Sequence, residues 1–385
     1  MDDGDELELR LSEPDAGELE AGLLQAALAA PCWSDGRLAE RFENAFAEAH
    51  GRAHGVAVAS GTVGTWLALR ALGIGPGDEV VASAYGWHQV PHAVTLAGAR
   101  VVFADIDYWS GCLDPARAAA QIGPATKAIV AGNVNGHPAA WTALRDLADA
   151  RGLSLIEDST EAIGSRYGGK PVGSFGDVSV FDFSSPSPLC CGEGGLLLTD
   201  DGALASELRY LRSRSLADRR SVSVGARVPL QAGLSEITAA LALAQLSRLD
   251  ELLERRQAVE ATYLEEMRSF EGIKPPYIAP EIDAVHWMLY VVHLGKRFTA
   301  SATAQVVEDL RTEGIESAVY CQPMHQQFAY TQLGWQRGRL PLAERIADRA
   351  LALPFHAGVE PDQVRFIVKT LKDASINVGA GAAIY

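Results

Sequence analysis

The sequence has few of the features that mark nucleic-acid-binding or membrane proteins. Its 33 Lys and Arg residues are outnumbered by 49 Asp and Glu residues, which gives a formal net charge of -16. A surface this acidic repels phosphate backbones, so we expect no nucleic-acid partner. No apolar run approaches the roughly 20 residues that a membrane-spanning helix needs, so we expect no membrane partner either.

Cysteines are also few, and nothing pairs them. The five are Cys32, Cys112, Cys190, Cys191 and Cys321. Their odd number and scattered spacing argue against a disulfide framework and against a structural zinc site. The N-terminal segment is acidic and lacks the apolar region of a signal peptide. We therefore expect a cytoplasmic protein without a structural metal site.

Apolar residues, by contrast, are plentiful. They make up 48% of the 385 residues, which is enough for a large core and favours more than one domain. Short β-branched runs alternate with helical stretches over the first two thirds of the chain, which indicates βαβ units and a mainly parallel sheet. The predicted strands are GVAVAS, DEVVAS, ARVVFAD, KAIVAGNV, LSLIED, VSVFDF and GGLLLTD. Only a loop separates the last two, so that pair can be antiparallel.

The pattern changes at Ser235, which we predict to be the N-cap of a long helix with Glu236 in its first turn. This helix is predicted to lead into a second region, which mixes strands and helices from about Gly272 onward. We therefore predict a large α/β domain over 1–250 and a smaller C-terminal α/β domain over 251–385.

Three predicted strands end in segments that could form a site, since ligands of open α/β sheets lie beyond the carboxyl ends of the strands. The first segment, SGTVG at 60–64, opens a helix with small residues that leave backbone N–H groups free for an anion. The other two segments contribute polar and aromatic side chains: Trp87 and His88 after one strand, and Glu157, Asp158 and Glu161 after another.

The whole chain resembles the DegT/DnrJ/EryC1/StrS family, the pyridoxal-phosphate-dependent sugar aminotransferases. The segments that carry the resemblance include WSDGRLAERFENAFAEAHG, GPGDEVV, LAGARVVFADID, TKAIVAGNVNGHPA, LIEDSTEAIGSRYGGKPVGSFGDVSVFDF, GEGG, YCQPMHQQFAY and RALALPFHAGVEPDQV. The resemblance implies a fold of the aspartate-aminotransferase type (fold type I). Such a fold has a large domain with a mainly parallel seven-stranded sheet, a smaller C-terminal α/β domain, and a dimer with sites at its interface.

The resemblance also assigns positions around the coenzyme. Trp87 corresponds to the residue that stacks on the pyridine ring, and Asp158 to the one that pairs with the pyridine nitrogen. Thr62 and Val63 correspond to residues that hold the phosphate. Gln231 takes the place of an Asn that reaches the phosphate of the partner subunit, so the expected assembly is a homodimer in which Gln231 reaches the other site.

Other positions depart from the family pattern. Ser187 stands where the family has its lysine, and a hydroxyl cannot form the imine that a primary amine forms. Asp182 replaces a phosphate-holding Ser, and a carboxylate about 4 Å from one phosphate charge costs on the order of 4 kcal/mol at an effective dielectric of about 20. Gly233 replaces an Arg, and Glu161 replaces a Gln. We therefore expect no cofactor, and pyridoxal or pyridoxamine phosphate only if it binds without a covalent bond.

The first functional hypothesis is a coenzyme-independent enzyme of small-molecule or natural-product biosynthesis. It would use the pocket for acid/base chemistry on a small polar metabolite, by dehydration, isomerisation, cyclisation or condensation. The residues expected to carry this chemistry are His88, Asp158, Glu161, Asp182 and Ser187. The same carboxylates and imidazole would also suit a divalent ion, but their spacing does not specify one.

Two alternatives remain open. The chain could be a non-catalytic partner subunit of an active homologue. It could also be a pyridoxamine-phosphate-dependent sugar dehydratase or a pyridoxal-phosphate-dependent sugar aminotransferase.

Overall fold

A central seven-stranded sheet dominates the computed structural model, which describes residues 8–34, 37–213, 228–268, 270 and 272–378. The strands of the N-terminal part are β1 (His54–Val58), β2 (Glu79–Ser83), β3 (Arg100–Ala104), β4 (Thr126–Gly132), β5 (Ser154–Asp158), β6 (Arg166–Tyr167), β7 (Lys170–Pro171), β8 (Val178–Asp182) and β9 (Gly195–Thr199). The large sheet has the order β1-β9-β8-β5-β4-β2-β3. Strand β9 is antiparallel to both neighbours, and the other pairs are parallel. The seven predicted strands and the predicted fold class are therefore confirmed.

Helices alternate with these strands as the sequence predicts. They are α1 (Glu18–Leu28), α2 (Arg37–Ala49), α3 (Gly61–Ala71), α4 (Gln89–Leu96), α5 (Pro115–Gln121), α6 (Trp141–Arg151), α7 (Gly202–Arg212), α8 (Glu236–Ser247) and α9 (Leu249–Met267). Ser235 caps α8, because its side chain accepts a hydrogen bond from the Thr238 N–H at 3.1 Å.

The single long helix predicted from Ser235 is in fact two helices, α8 and α9, that meet at Arg248. The backbone of Arg248 has φ -103° and ψ 2°, outside the α-helical region. Its guanidinium bridges Asp15 at 2.7 Å and Glu20 at 2.9 Å, which ties the junction to the N-terminal segment. Hydrophobic spacing continues through the junction, so it could not reveal the break.

The C-terminal region builds a smaller antiparallel sheet in the order β10-β12-β14-β13. Its elements are β10 (Ile273–Lys274), β11 (Ile282–Ala284), β12 (Tyr290–Leu294), α10 (Ala300–Thr312), β13 (Ala318–Val319), α11 (Phe328–Thr331), α12 (Pro341–Ala347), β14 (Ala350–Leu353) and α13 (Pro361–Asn377). Side chains such as Tyr263, Tyr290 and Leu371 form a separate core beneath it. Tyr320 and Met324 instead join the core of the large sheet, and the boundary predicted at residue 250 stays a prediction.

The parallel strands β2, β4, β5 and β8 end at one edge of the large sheet, and this edge collects the polar side chains predicted for the site. Helix α3 begins at the same edge, because Gly61 contacts the end of β8. Within the part of the chain that the structure describes, no helix has the length and apolarity to cross a bilayer.

Candidate functional site at the ends of the parallel strands

A small cavity lies at this edge. Trp87, Asn133, Asp158 and Glu161 are among the side chains that line it, and its volume is about 30 Å³. That volume holds a water molecule or two, but an aromatic ring needs more space. Two of its lining residues are buried carboxylates, so the chemistry of the cavity depends on how each carboxylate is held.

Side-chain and backbone hydrogen bonds fix one of the two carboxylate oxygens of Glu161. Its Oε2 accepts hydrogen bonds from the backbone N–H of Asn135 and from the hydroxyl of Tyr320. Its Oε1 is buried and has no hydrogen-bond partner among the residues that the structure describes. Burial raises the pKa of Glu161 to about 7 and the charge of Asp158 adds to the rise, although Tyr320 and the backbone N–H groups of Asn135 and Trp87 oppose it. The carboxyl group therefore exchanges a proton near neutral pH, and it has one oxygen available to do so.

Asp158, at the end of β5, is held by an amide. The Nε2 of Gln89 donates to both carboxylate oxygens at 2.8 Å and to the Thr160 hydroxyl oxygen at 2.6 Å. The Thr160 N–H adds a bond of 3.1 Å. Burial raises the pKa of Asp158, and the negative charge of Asp182 adds to the rise.

Asp182, at the end of β8, is turned toward the first turn of α3. Its Oδ2 accepts from the Gly61 N–H at 2.6 Å, and its Oδ1 accepts from the Ser184 N–H at 2.8 Å. Thr62 and Val63 follow Gly61 in the same turn and are half-buried. The carboxylate of Asp182 thus sits where the positive end of the helix dipole attracts an anion.

Two residues predicted for catalysis lie elsewhere. His88 is exposed, its ring 5.2 Å from the ring of Trp87 and 5.0 Å from that of His92, and it does not line the cavity. It precedes α4, and neighbouring positions of a helix face different sides, so Gln89 turns inward and His88 outward. Ser187 lies in the loop after β8, where its hydroxyl accepts the Leu189 N–H at 3.3 Å. Of the five residues predicted for catalysis, Asp158 and Glu161 line the cavity and Asp182, His88 and Ser187 do not, and the catalytic role of all five stays a prediction.

Other residues of the site escaped the sequence reasoning. Gln89 belongs to a quoted segment, but nothing in its spacing indicates that it would reach Asp158. Asn135 has the left-handed φ of 49°, and its N–H donates to Glu161. Tyr320 arrives from the C-terminal region, 159 positions away from Glu161. Gln231 is exposed, and its predicted contact with a partner subunit stays a prediction.

The imidazole considered as a metal ligand is missing from this site, because His88 lies away from the carboxylates. Across residues 8–34, 37–213, 228–268, 270 and 272–378, no group of three His, Cys, Asp or Glu side chains has the arrangement of a metal site.

The fold and the strand-end carboxylates define the class of protein to which the chain is similar. A model of the DegT/DnrJ/EryC1/StrS aminotransferase family matches residues 14–372. The chain belongs to this family.

Two relatives and one solved structure make the likeness more specific. GDP-perosamine synthase of Caulobacter vibrioides is 35% identical over 339 residues, 88% of this chain and 90% of the relative. The spore coat polysaccharide biosynthesis protein SpsC of Bacillus subtilis is 31% identical over 352 residues, again 88% and 90%. The crystal structure of DesV from S. venezuelae, in complex with a ketimine intermediate, superposes with a TM-score of 0.84. DesV is 32% identical, and the match covers 92% of this chain and 93% of DesV.

The expectation that no cofactor is used is wrong by comparison with these relatives. DesV is described with a ketimine intermediate, and the solved structure of Spr1654 from Streptococcus pneumoniae in its PLP form has the same fold. Spr1654 is 23% identical, and its PLP form superposes with a TM-score of 0.89 over 96% of this chain and 99% of that chain. At this identity the comparison supports only the fold. The family is therefore one of coenzyme-dependent enzymes, and a coenzyme-independent reading of this chain is set aside.

Two residues of the site suit the ring of such a coenzyme by their chemistry, although the cavity in this conformation is too small for the ring. Trp87 and Asp158 border the cavity as a ring partner and a nitrogen partner would. At the other end, Asp182 already takes the Gly61 N–H that faces an anion, and Gln89 already bonds to Asp158. In this conformation the phosphate and the ring nitrogen have no free partner at these two positions.

Proposed function

We infer that this protein is an enzyme of carbohydrate biosynthesis that acts on a nucleotide-linked keto sugar with pyridoxamine phosphate held without a covalent bond. The family supports the coenzyme, and the name GDP-perosamine synthase supports an amino or deoxy sugar carried on a nucleotide. The main observation behind the non-covalent binding is Ser187, which offers no amine and whose hydroxyl accepts a hydrogen bond within its own loop. The amine form of the coenzyme requires no lysine, whereas a covalently held aldehyde form does.

Three residues would hold and serve the coenzyme. Trp87 offers an aromatic face, and Asp158 offers a carboxylate for the pyridine nitrogen. When bound, pyridoxamine phosphate supplies an amine that condenses with a carbonyl group and a ring that withdraws electrons. Glu161 supplies the proton transfer, because its Oε1 faces no other partner in the described chain and its pKa is about 7.

The raised pKa of Glu161 favours removal of a hydroxyl group from the sugar over simple transfer of an amine. A hydroxyl leaves as water only if it receives a proton, and burial raises the pKa of Glu161 to about 7, so its carboxyl group can supply a proton near neutral pH. The proposed reaction therefore removes the hydroxyl group on the carbon next to the carbonyl as water, and pyridoxamine phosphate would supply the two electrons and leave as pyridoxal phosphate and ammonia. Tyr320, which donates to the other oxygen of Glu161, would keep the acid in place.

The test is to incubate the purified protein with pyridoxamine phosphate and GDP- or TDP-linked keto hexoses, and to follow the sugars by mass spectrometry. We expect a deoxy sugar that has lost one oxygen atom, formed together with one equivalent each of pyridoxal phosphate and ammonia, and no such product with Glu161→Gln. A product that has gained an amino group instead would make the protein an aminotransferase. Unchanged sugars throughout would refute enzymatic turnover.

A second candidate is a partner subunit without turnover, and the occupied N-terminus of α3 favours it. Such a subunit would stabilise an active homologue through the shared dimer interface of the family. Size-exclusion chromatography of the protein expressed alone tests this candidate. A stable homodimer would count against it and would support the predicted assembly in which Gln231 reaches the other site.

A further inference from the structure

Asp182 does more than face a phosphate position, because it fills that position with its own charge. The Gly61 N–H is the first donor of α3, and the bond of 2.6 Å from it ends on Asp182 Oδ2. The Ser184 hydroxyl and N–H both donate to the other oxygen, so the side chain is fixed in this direction. The helix N-terminus therefore already carries an anion that belongs to the chain itself.

Gln89 does the same at the position of the ring nitrogen. Its side-chain N–H groups bond to both oxygens of Asp158, as the N–H of a protonated pyridine would bond to a carboxylate. Gln89 is 1% exposed, and its Oε1 has no hydrogen-bond partner among the described residues. A buried acceptor without a partner is costly, so this arrangement of Gln89 is held at an energetic disadvantage.

Both side chains converge on one glycine. A Cβ atom placed on Gly61 would lie 2.5 Å from Gln89 Oε1 and 2.8 Å from Asp182 Cβ. The two residues thus close the space between the N-terminus of α3 and Asp158. The cavity of about 30 Å³ beside Trp87 lies on the other side of Asp158, which is one of its lining residues.

We propose that Gln89 and Asp182 form an internal plug that takes both polar partners of the coenzyme and so sets its affinity. The proposal rests on the proposed function, since it assumes that the coenzyme enters this site. Pyridoxamine phosphate then binds only after the amide leaves Asp158 and the carboxylate leaves Gly61. The plug would lower the affinity for the coenzyme although Trp87 and Asp158 are kept.

The test measures binding, so turnover does not enter it. The binding of pyridoxamine phosphate to the full-length protein is titrated by calorimetry for wild type, Gln89→Ala, Asp182→Ser and the double variant. We expect each single change to tighten binding by roughly tenfold and the double change by more. Inorganic phosphate serves as a second probe, and its binding should tighten with Asp182→Ser but not with Gln89→Ala.

Two matched controls separate the plug from general effects of mutation. Asp201→Ser removes another Asp that caps a helix, the one bonded to the Ala203 and Leu204 N–H groups. Gln245→Ala removes another buried Gln whose amide donates to a carboxylate, that of Glu20 at 2.8 Å. Neither control should change the affinity for pyridoxamine phosphate.

Covalent capture gives an independent readout. Ser187→Lys restores an amine, and pyridoxal phosphate can then condense with it, with loss of water, to an imine that borohydride reduces to a stable amine. Mass spectrometry should find the adduct in the triple variant Gln89→Ala/Asp182→Ser/Ser187→Lys and much less of it in Ser187→Lys alone.

The outcomes distinguish the plug from the proposed function. If Gln89→Ala and Asp182→Ser bind pyridoxamine phosphate within about twofold of wild type, the plug is refuted, while dehydration of a sugar can still be observed. If Asp182→Ser does not fold, Asp182→Asn, which keeps the shape and removes the charge, should tighten binding to a smaller degree. No binding by any variant would overturn the plug together with the coenzyme.

Discussion

Glu157 and Glu161 lie four positions apart, and the structure uses them in opposite ways. Glu157 is fully buried and accepts hydrogen bonds from the backbone or side chains of Asn133, Ser159, Gly173, Phe175, Gly176 and Ser179. Glu161 is also buried, but one of its oxygens has no partner in the described part of the chain. A carboxylate with all its positions filled holds loops together, whereas one with an open oxygen can react. Both carboxylates are buried, so it is their hydrogen bonds that distinguish the structural role of Glu157 from the reactive role of Glu161.

The largest effect should come from removing the fully bonded carboxylate. Glu157→Ala leaves several buried donors without an acceptor, and each costs about 1–3 kcal/mol. We expect the free energy of unfolding to fall by at least about 4 kcal/mol, measured by urea denaturation. Glu161→Ala is the comparison, and it should cost clearly less. Equal losses from the two changes would contradict the distinction between them.

The pH dependence of stability should separate the two residues further. The pKa of Glu161 rises from 4.5 in the unfolded chain to about 7 in the fold, so the unfolded chain loses this proton first as pH increases. Stability is therefore lost between about pH 4.5 and pH 7, by on the order of 3 kcal/mol, and stays low above pH 7.

Glu161→Gln cannot titrate, so this loss should be absent from the variant. The stability of the variant relative to wild type should grow from pH 4.5 to pH 7, as measured by thermal unfolding at a series of pH values. Asp158, whose pKa is also raised, titrates in both proteins, and its charge contributes to the raised pKa of Glu161. A constant difference across this range would show that Glu161 is not held in its neutral form.

The same substitution tests chemistry. Glu161→Gln keeps the shape of the side chain and, according to the family resemblance, restores the residue that relatives have at this position. We expect sugar dehydration to fall at least about 100-fold, or roughly 2.7 kcal/mol in the activation free energy, because proton transfer is lost. The readout is initial rates at saturating pyridoxamine phosphate, with the binding of the coenzyme measured in parallel. An unchanged rate would place the acid on another residue.

The sequence predicted the sheet well because strands depend on local patterns. All seven runs became strands, and the short connection before β9 (Gly195–Thr199) correctly indicated an antiparallel pair. Trp87, Asp158 and Glu161 follow strand ends, and parallel strands bring such ends together, so these residues were predictable.

The rest of the site depends on side-chain directions that spacing does not encode. Gln89 and His88 are neighbours in the sequence, and only the packing of α4 (Gln89–Leu96) decides which of them turns inward. Tyr320 reaches Glu161 from the C-terminal region, so no local motif contains this contact. The predicted role of Asp182 was the repulsion of a phosphate, and only the geometry shows that its carboxylate occupies the helix N-terminus.

Substitution of Ser187 is expected to have the smallest effect on stability and activity, in contrast to substitution of Glu161. Its hydroxyl bonds only weakly, at 3.3 Å, within its own loop, and the residue does not line the cavity. Ser187→Ala should therefore change the free energy of unfolding by less than about 0.5 kcal/mol and leave the dehydration rate within roughly twofold of wild type. Urea denaturation and the mass-spectrometric assay check both values. A loss of activity of about tenfold or more would return Ser187 to the catalytic residues and would mean that its loop turns toward the substrate during the reaction.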